Sequence, residues 1–358
     1  MLKTKGRSSA PPVQATGKIG LWGAPGSGKT TFLAALSIAA NRASQLRDNR
    51  LLLFGADDAS TDFLIEQTSL LTRDMHFPPA TDAEHHLNWV LRMNVEAPGR
   101  GFRRPAAGSV PYEFELNFLD APGGRFKDKG PGGRAGDADE APNRRLFGNE
   151  NGPAAVPGTI GGDESFMSDL AGCDGLVLLF DPAREWEESD AFSHFNGTLL
   201  KIAQRRLRDP ARAATGLLPQ YVAVCVTKFD HNDVYRKACD LGFRSYASTD
   251  RRFFPKVSDR LAEKFFVAMG QVTPRSNADL IRDTLRNFFE ENRVQFFVSS
   301  AVGFRVDPDT GVFNEREFEN VDDRSGAKPR IKGPIYPINV IEPLMWLGGK
   351  LATGGQAR

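Results

Sequence analysis

The sequence predicts an α/β protein, a three-layer sandwich whose sheet is mostly parallel and carries one antiparallel strand pair. Three observations lead there. The runs "GLVLLFDP" (175–182), "YVAVCVTKFD" (221–230) and "VQFFVSSA" (294–301) are nearly continuously apolar and end in polar residues, as parallel strands covered on both faces do. Helical patterns separate them, which implies crossover connections and helices on both sides of the sheet. Two other runs, Leu87 to Val95 and Tyr112 to Phe118, alternate apolar with polar residues and have no helix between them, so they can pair antiparallel.

Taken in order, the leader "MLKTKGRSSAPPVQATG" has basic residues without the apolar core of a signal peptide, and residues 1–16 are expected to be disordered. One domain is expected over 17–350, followed by a tail, 351–358. Ile19 to Trp22 reads as a buried strand, and Thr31 onward, with Phe32, Leu33 and Leu36 on one face, as a helix. "RLLLFGADD" suggests a short strand. "STDFLIEQTSLLTRDM" sets Phe63, Leu64, Gln67, Leu70 and Leu71 at helical spacing. The loop "HFPPATDAEH" then leads into the first alternating strand, whose Leu87, Trp89, Leu91, Met93 and Val95 share a face. In the second, Tyr112, Phe114, Leu116 and Phe118 are interleaved with Glu113, Glu115 and Asn117. Residues 124–163 are rich in glycine and proline with charges of both signs, the composition of a flexible insertion. Beyond it, "DAFSHFNGTLLKIAQRRLRD", "SDRLAEKFFVAMG" and "NADLIRDTLRNFFEENR" are helices between strands. The final "YPINVIEPLMWLGGKL" is expected to dock on the sheet as the last helix.

Composition narrows the function classes. A chain of 358 residues can bury about three quarters of its unfolded surface. Its 40% hydrophobic and 25% charged residues are ordinary for a soluble protein, and a net charge of +1 lacks the basic balance of a chain that grips a nucleic-acid backbone. The sequence lacks the roughly 18 uninterrupted apolar residues of a membrane span, so a cytoplasmic location is expected. Cys173, Cys225 and Cys239 share no metal-ligand spacing and read as thiols of a reducing compartment. The five histidines, His85 and His86 among them, have no partners at ligand spacing and read as surface or structural.

Chemistry concentrates in four short stretches. In "KIGLWGAPGSGKTTFL" (18–33), the spacing Gly23-x-x-x-x-Gly28-Lys29-Thr30 is the Walker A pattern. Gly23, Ala24, Pro25, Gly26, Ser27 and Gly28, running into Lys29, Thr30 and Thr31, form a loop whose backbone N–H groups wrap nucleotide phosphates. Glycine permits so close an approach. Lys29 reaches the outer phosphates, Thr30 offers its hydroxyl to Mg²⁺, and the positive end of the following helix faces the anion. In "FLDAPGG" (118–124), Asp120 at a strand end suits the orientation of a Mg²⁺-bound water, and Gly123 can present its N–H to a γ-phosphate. In "VTKFD" (226–230), Asp230 can accept from both the ring N–H and the exocyclic amine of guanine while the Lys228 stem lies over the base. Adenine offers an acceptor where guanine offers a donor, and such a mismatch can reject a ligand by about 10⁴. In "FVSSAVGF" (297–304), Ser299, Ser300 and Ala301 are small enough for a backbone N–H to approach the guanine keto oxygen. Each of the last three also occurs as an ordinary strand end. Their chain order, each at the C-terminal end of a strand where such sheets bind ligands, unites them.

GAPGSGKT, DAPG, TKFD and SSA together resemble the phosphate, switch II, guanine-specificity and closing motifs of the translation-factor-related (TRAFAC) class of P-loop GTPases, over roughly residues 17 to 350. The alternating strands resemble that class's antiparallel pair. More narrowly, KIGLWGAPGSGKTTFLAAL, FPPAT and VIEPLMWL resemble the bacterial double-GTPase domain family, encoded beside a second GTPase in multi-component biological-conflict systems. The resemblance implies a GTP-hydrolysing switch that uses GTP, GDP and Mg²⁺, and a second GTPase or other proteins of the same system as partners. Two residues depart from the pattern. Thr227 stands where the guanine motif commonly has Asn, a change Rho-like GTPases tolerate. Gly124 stands where Ras-like proteins carry the water-positioning Gln, so slow hydrolysis is expected, assisted by a partner or by Arg125, Arg134, Arg144 or Arg145. For the switch I threonine that would sense Mg²⁺ and the γ-phosphate, Thr81 is chosen because it precedes the antiparallel pair; Thr61, Thr68 and Thr72 compete with it. Two other readings stay open. One is a scaffold that binds GTP without turnover. The other is a P-loop ATPase or kinase, for which Ala121 stands where a catalytic Glu would be wanted and Lys228-x-Asp230 goes unexplained.

Overall fold

The computed structural model describes residues 17–46, 51–79, 85–95, 110–120, 161–208, 216–246, 251–323 and 328–354. At the centre of the sheet lies β1 (Gly17–Gly23), hydrogen-bonded in parallel to β4 (Val110–Asp120) on one side and β5 (Gly175–Phe180) on the other. All six residues of β5 are buried, which is why its sequence shows no polar alternation. Beyond it come β6 (Tyr221–Val226) and β9 (Val294–Val298), again parallel. On the other flank β3 (His85–Val95) runs antiparallel to β4 over eleven paired positions, from His85↔Asp120 to Val95↔Val110. The short β2 (Leu52–Gly55) adds a second antiparallel pairing on the outer edge of β3, giving the order β2-β3-β4-β1-β5-β6-β9.

Two helical layers cover this sheet. On one face α1 (Lys29–Leu46), α2 (Asp58–Thr72) and α9 (Glu342–Gly354) bury Phe32, Leu33, Leu36, Leu64, Leu344 and Leu347 against the alternating side chains Leu87, Trp89, Leu91 and Met93 of β3 and Phe114, Leu116 and Phe118 of β4. The last helix therefore docks as its spacing predicts. It comes so close that a Cβ on Gly348 would lie 2.9 Å from both Met93 Sδ and the Phe114 ring, which explains a glycine inside a helix where it costs up to about 1 kcal/mol against alanine. On the opposite face α3 (Gly161–Gly172), α5 (Ala191–Arg206), α7 (Asp259–Gly270) and α8 (Ala278–Phe288) pack Leu170, Leu199, Phe266 and Ile281 around Leu176, Leu178, Val222 and Val224. Trp22 stacks on Phe195 there at 5.2 Å.

Elements without a long period escape the sequence reading: α4 (Pro182–Glu188), α6 (Asn232–Asp240), and the two-residue ribbons β7 (Ser245–Tyr246) with β8 (Pro255–Lys256) and β10 (Val321–Asp322) with β11 (Arg330–Ile331). Helix α3 begins at Gly161, within the stretch read as an insertion, and α9 carries residues 351–354 of the expected tail. The leader, residues 124–160, Thr81, Ala121, Gly123, Gly124, Arg125, Arg134, Arg144 and Arg145 lie outside the described residues. Among the described residues, no helix is long and apolar enough to cross a membrane, and the three cysteines are free thiols, Cys173 and Cys225 buried.

Candidate functional site

Because β1, β5, β6 and β9 run parallel, the loops that follow them gather at one edge of the sheet. The loop after β1 turns through two left-handed glycines, Gly26 at φ +71° and Gly28 at φ +86°. A Cβ on Gly28 would meet nothing within 4 Å, so the loop opens on free space there. Ser27 N–H donates to Ala24 O at 3.1 Å, and Phe32 N–H to Gly28 O at 2.8 Å as α1 starts. Lys29 folds back over the loop, its Nζ donating to Gly23 O at 3.1 Å and Ala24 O at 3.2 Å. Thr30 and Thr31 occupy the first turn of α1.

Thr227 follows β6 directly and is held by both its backbone and its hydroxyl. Its N–H donates to Phe180 O at 2.8 Å; its Oγ1 lies 3.2 Å from the same carbonyl and 3.5 Å from Ser27 O. This one buried side chain bridges the ends of β5 and β6 to the phosphate loop. Lys228 adopts a left-handed backbone, φ +56°, and its Nζ pairs with the buried Asp181 at 2.5 Å. Asp181 in turn caps α4 by accepting from Arg184 N–H at 3.2 Å. Phe229 anchors the loop from below, fully buried between the rings of Tyr235, Phe265 and Phe304.

Asp230 is 7% exposed. Ser300 Oγ–H donates to its Oδ1 at 2.5 Å, and Gly303 N–H donates to Ser300 Oγ at 2.7 Å. Burial raises the Asp230 pKa; the Ser300 hydrogen bond and the nearby His231 and Lys228 pull the other way. Gly303 has φ +72°, and a Cβ there would lie 2.0 Å from Tyr336 O. Gly303→Ala is therefore expected to cost more than about 2 kcal/mol in a urea unfolding titration and to loosen the Ser300–Asp230 pair.

These loops enclose a cleft of about 410 Å³, within the usual range for a small-molecule site. It is lined by Gly26, Ser27, Gly28, Thr31 and Phe32 from the loop after β1 and the start of α1, by Thr227, Lys228, Asp230, His231 and Asn232 after β6, and by Ser299, Ala301 and Val302 after β9. Three of the four sequence motifs thus meet in one space. The fourth approaches by backbone register: β1 and β4 pair as Gly20↔Asn117, and continuing that register sets Asp120 level with Gly23 at the same edge. Thr61, Thr68 and Thr72 lie inside α2, where Thr61 Oγ1 bonds Asp57 O and Thr72 Oγ1 bonds Thr68 O, so none sits in a loop beside the cleft.

The sequence reading missed a wall of the cleft made by Phe77, Glu319, Val321, Asp323 and Pro329. Phe77 belongs to the FPPAT stretch whose Thr81 is the switch I candidate. The others come from a segment with no hydrophobic period. A small apolar cluster of Ala34, Ile38, Leu71, Val302, Ile331 and Ile335 holds this wall against α1 and α2, with Met75, Phe77 and Val321 on its rim. Ile331 N–H donates to Met75 O at 2.9 Å, and His76 bridges Arg330.

Among the described residues, no cluster of three His, Cys, Asp or Glu could hold a metal ion. A Walker-type Mg²⁺ needs no such cluster, because it binds one or two protein oxygens and completes its shell with phosphate and water.

No protein-family model matches the chain, and no curated protein matches it. Among solved structures, the chain is similar to the GTPase-like domain of Saccharomyces cerevisiae Ski7 bound to GTP, at 12% identity and a TM-score of 0.35, over 95% of this chain and 50% of that one. It is similar also to the signal recognition particle receptor SRb-GTP/SRX complex of Chaetomium thermophilum (13%, TM-score 0.31, 80% and 94% covered) and to Sup35 complexed with GDP (10%, TM-score 0.27, 86% and 44% covered). The chain spans half the length of the Ski7 structure. The strand order and the edge loops, rather than these likenesses, define the fold: a P-loop sandwich with a mostly parallel sheet and an antiparallel strand pair.

Proposed function

We propose that residues 17–350 form one domain that binds GTP and GDP with Mg²⁺ in the edge cleft and hydrolyses GTP slowly, as a molecular switch. One observation carries this reading: a buried carboxylate, Asp230, shares a cleft with the glycine loop that precedes Lys29. An ionised carboxylate only accepts hydrogen bonds, so it matches the two adjacent N–H donors of guanine and leaves adenine unmatched. Lys228 extends its stem past the base toward Asp181, and Ala301 is small enough to bring backbone to the keto oxygen. Lys29, Thr30 and the N-terminus of α1 take the phosphates. Thr30, Asp120 and Thr81 would hold Mg²⁺, whose charge offsets that of the outer phosphates. Gly123 would offer its N–H to the γ-phosphate.

The switch would consist of the loops around Thr81 and after Asp120, ordered by the γ-phosphate and released by hydrolysis. The wall of the cleft supports this, because Phe77, four residues before Thr81, lines the same cleft as the glycine loop. With Gly124 unable to orient a water, fast turnover would need help, and a second GTPase or another protein of a bacterial multi-component system is the partner class the motifs suggest. That system, as in the double-GTPase domain family of conflict systems, would operate in the cytoplasm. Gly124 also favours a second reading, a scaffold that binds GTP without turnover. Phosphate release in Mg²⁺ separates the two. The switch predicts slow release from GTP that EDTA abolishes, whereas a scaffold binds GTP and releases no phosphate with or without a partner.

A further inference from the structure

The acidic wall of the cleft is built by one extended segment around β10. Glu319, Val321 and Asp323 all line the cleft, whereas Phe318 and Asn320 are buried, the alternation that a pleated chain imposes. The segment is fixed from its buried side. Asn320, with no exposed surface, donates from Nδ2 to Val302 O at 3.4 Å and Pro334 O at 3.3 Å. Lys332 N–H donates to Asn320 O at 2.8 Å, and β10 pairs with β11 as Val321↔Ile331. Val302 follows Ala301 in the chain, so a buried amide ties the wall to the loop after β9. Two carboxylates are thus held at the cleft by a rigid support. Among the described residues, neither Glu319 nor Asp323 has an ion pair or a side-chain hydrogen bond.

With the phosphates on the glycine loop and the base at Asp230, the sugar joins the two, and the part of the lining that neither group claims is this wall. An unsubstituted ribose offers two hydroxyl donors, at its 2′ and 3′ positions. An ionised carboxylate offers acceptors alone. We infer that Glu319 and Asp323 accept hydrogen bonds from the ribose 2′- and 3′-hydroxyls and make the cleft selective for nucleotides whose diol is free. The inference rests on the reading of the cleft as a GTP site. Val321, between the two acids, gives the carbon face of the sugar an apolar surface. A 2′-deoxyribose lacks one of the donors and leaves a carboxylate facing carbon. A phosphate on the 3′ oxygen removes the other donor and sets an anion against two carboxylates that no cation pairs with among the described residues. Such a like-charge contact is the repulsive element by which a site excludes a close analogue of its ligand.

The test titrates the full chain in Mg²⁺ with GDP, 2′-deoxy-GDP and GDP carrying a 3′-diphosphate, for the parent, Glu319→Gln, Asp323→Asn and the double variant, with melting temperatures alongside. The parent is expected to bind 2′-deoxy-GDP about tenfold more weakly than GDP, and the 3′-diphosphate about 10²-fold more weakly. The double variant keeps both side-chain shapes and removes both charges. It should weaken GDP by about fivefold and strengthen the 3′-diphosphate by about tenfold, bringing the two within about threefold of each other. Each single variant should move part of the way. Shifts of opposite sign are something that a wall with a merely structural role would not produce. A parent that binds all three nucleotides within about threefold overturns the inference and leaves the GTP site standing. So does a double variant that weakens GDP and the 3′-diphosphate by one common factor, which marks a structural role. A double variant that still rejects the 3′-diphosphate as the parent does also overturns it, because shape rather than charge then does the excluding. A parent that binds none of the three overturns the GTP reading as well.

Discussion

Lys29→Ala is expected to weaken both GTP and GDP by about 10²- to 10³-fold, read by calorimetric titration in Mg²⁺, with little change in melting temperature. The ammonium donates to two carbonyls of its own loop, Gly23 O and Ala24 O, so it is already drawn over the place where phosphates would sit. Losing a charge-assisted partner from a part-buried phosphate site costs about 2–5 kcal/mol, which sets the size of the effect. The protein itself should stay folded. The loop's turns at Gly26 and Gly28 and the Thr227 bridge persist when the lysine side chain is lost.

Asp230→Ala is expected to abolish discrimination between GTP and ATP, lowering GTP affinity by about 10²- to 10³-fold and leaving ATP unchanged. Asp230→Asn should fail differently. It presents an amide donor toward position 2 of the base, so it should weaken GTP and favour a xanthine nucleotide, whose oxygen there can accept. The buried carboxyl also makes binding pH-dependent. Its folded pKa is raised from the ordinary 3.8 by burial, so between 3.8 and that raised value the folded chain holds more protons than the unfolded chain. The stability of the nucleotide-free protein therefore falls as pH rises through this window. Guanine requires the ionised form, so GTP affinity rises over the same window. Opposite trends in melting temperature and affinity, both absent in Asp230→Ala, are the expected signature.

Much of this molecule is legible in the sequence wherever period or glycine dictates it. The buried strands β5, β6 and β9 announce themselves by unbroken apolar runs, and the alternation from Leu87 to Val95 states which face of β3 meets α1 and α9. The phosphate loop is legible because its turns demand glycine at positions 26 and 28. Thr227 illustrates a subtler case. The residue departs from the common pattern, and only the geometry shows its hydroxyl reaching both neighbouring loops. Other parts are set by tertiary contacts that no local pattern encodes. The wall from Glu319 to Pro329 is held by Ile331 and Ile335 against α1 and α2. Thr61, Thr68 and Thr72 read as candidates from position alone, and the helix they belong to removes them.

The most direct measurement is titration of the unmodified protein with GTP, GDP and ATP in Mg²⁺ under one set of conditions. Binding of GTP and GDP with ATP weaker by about 10²- to 10³-fold is the expected result. ATP binding as tightly as GTP would contradict the guanine assignment of Asp230 and leave the cleft an adenine-nucleotide site.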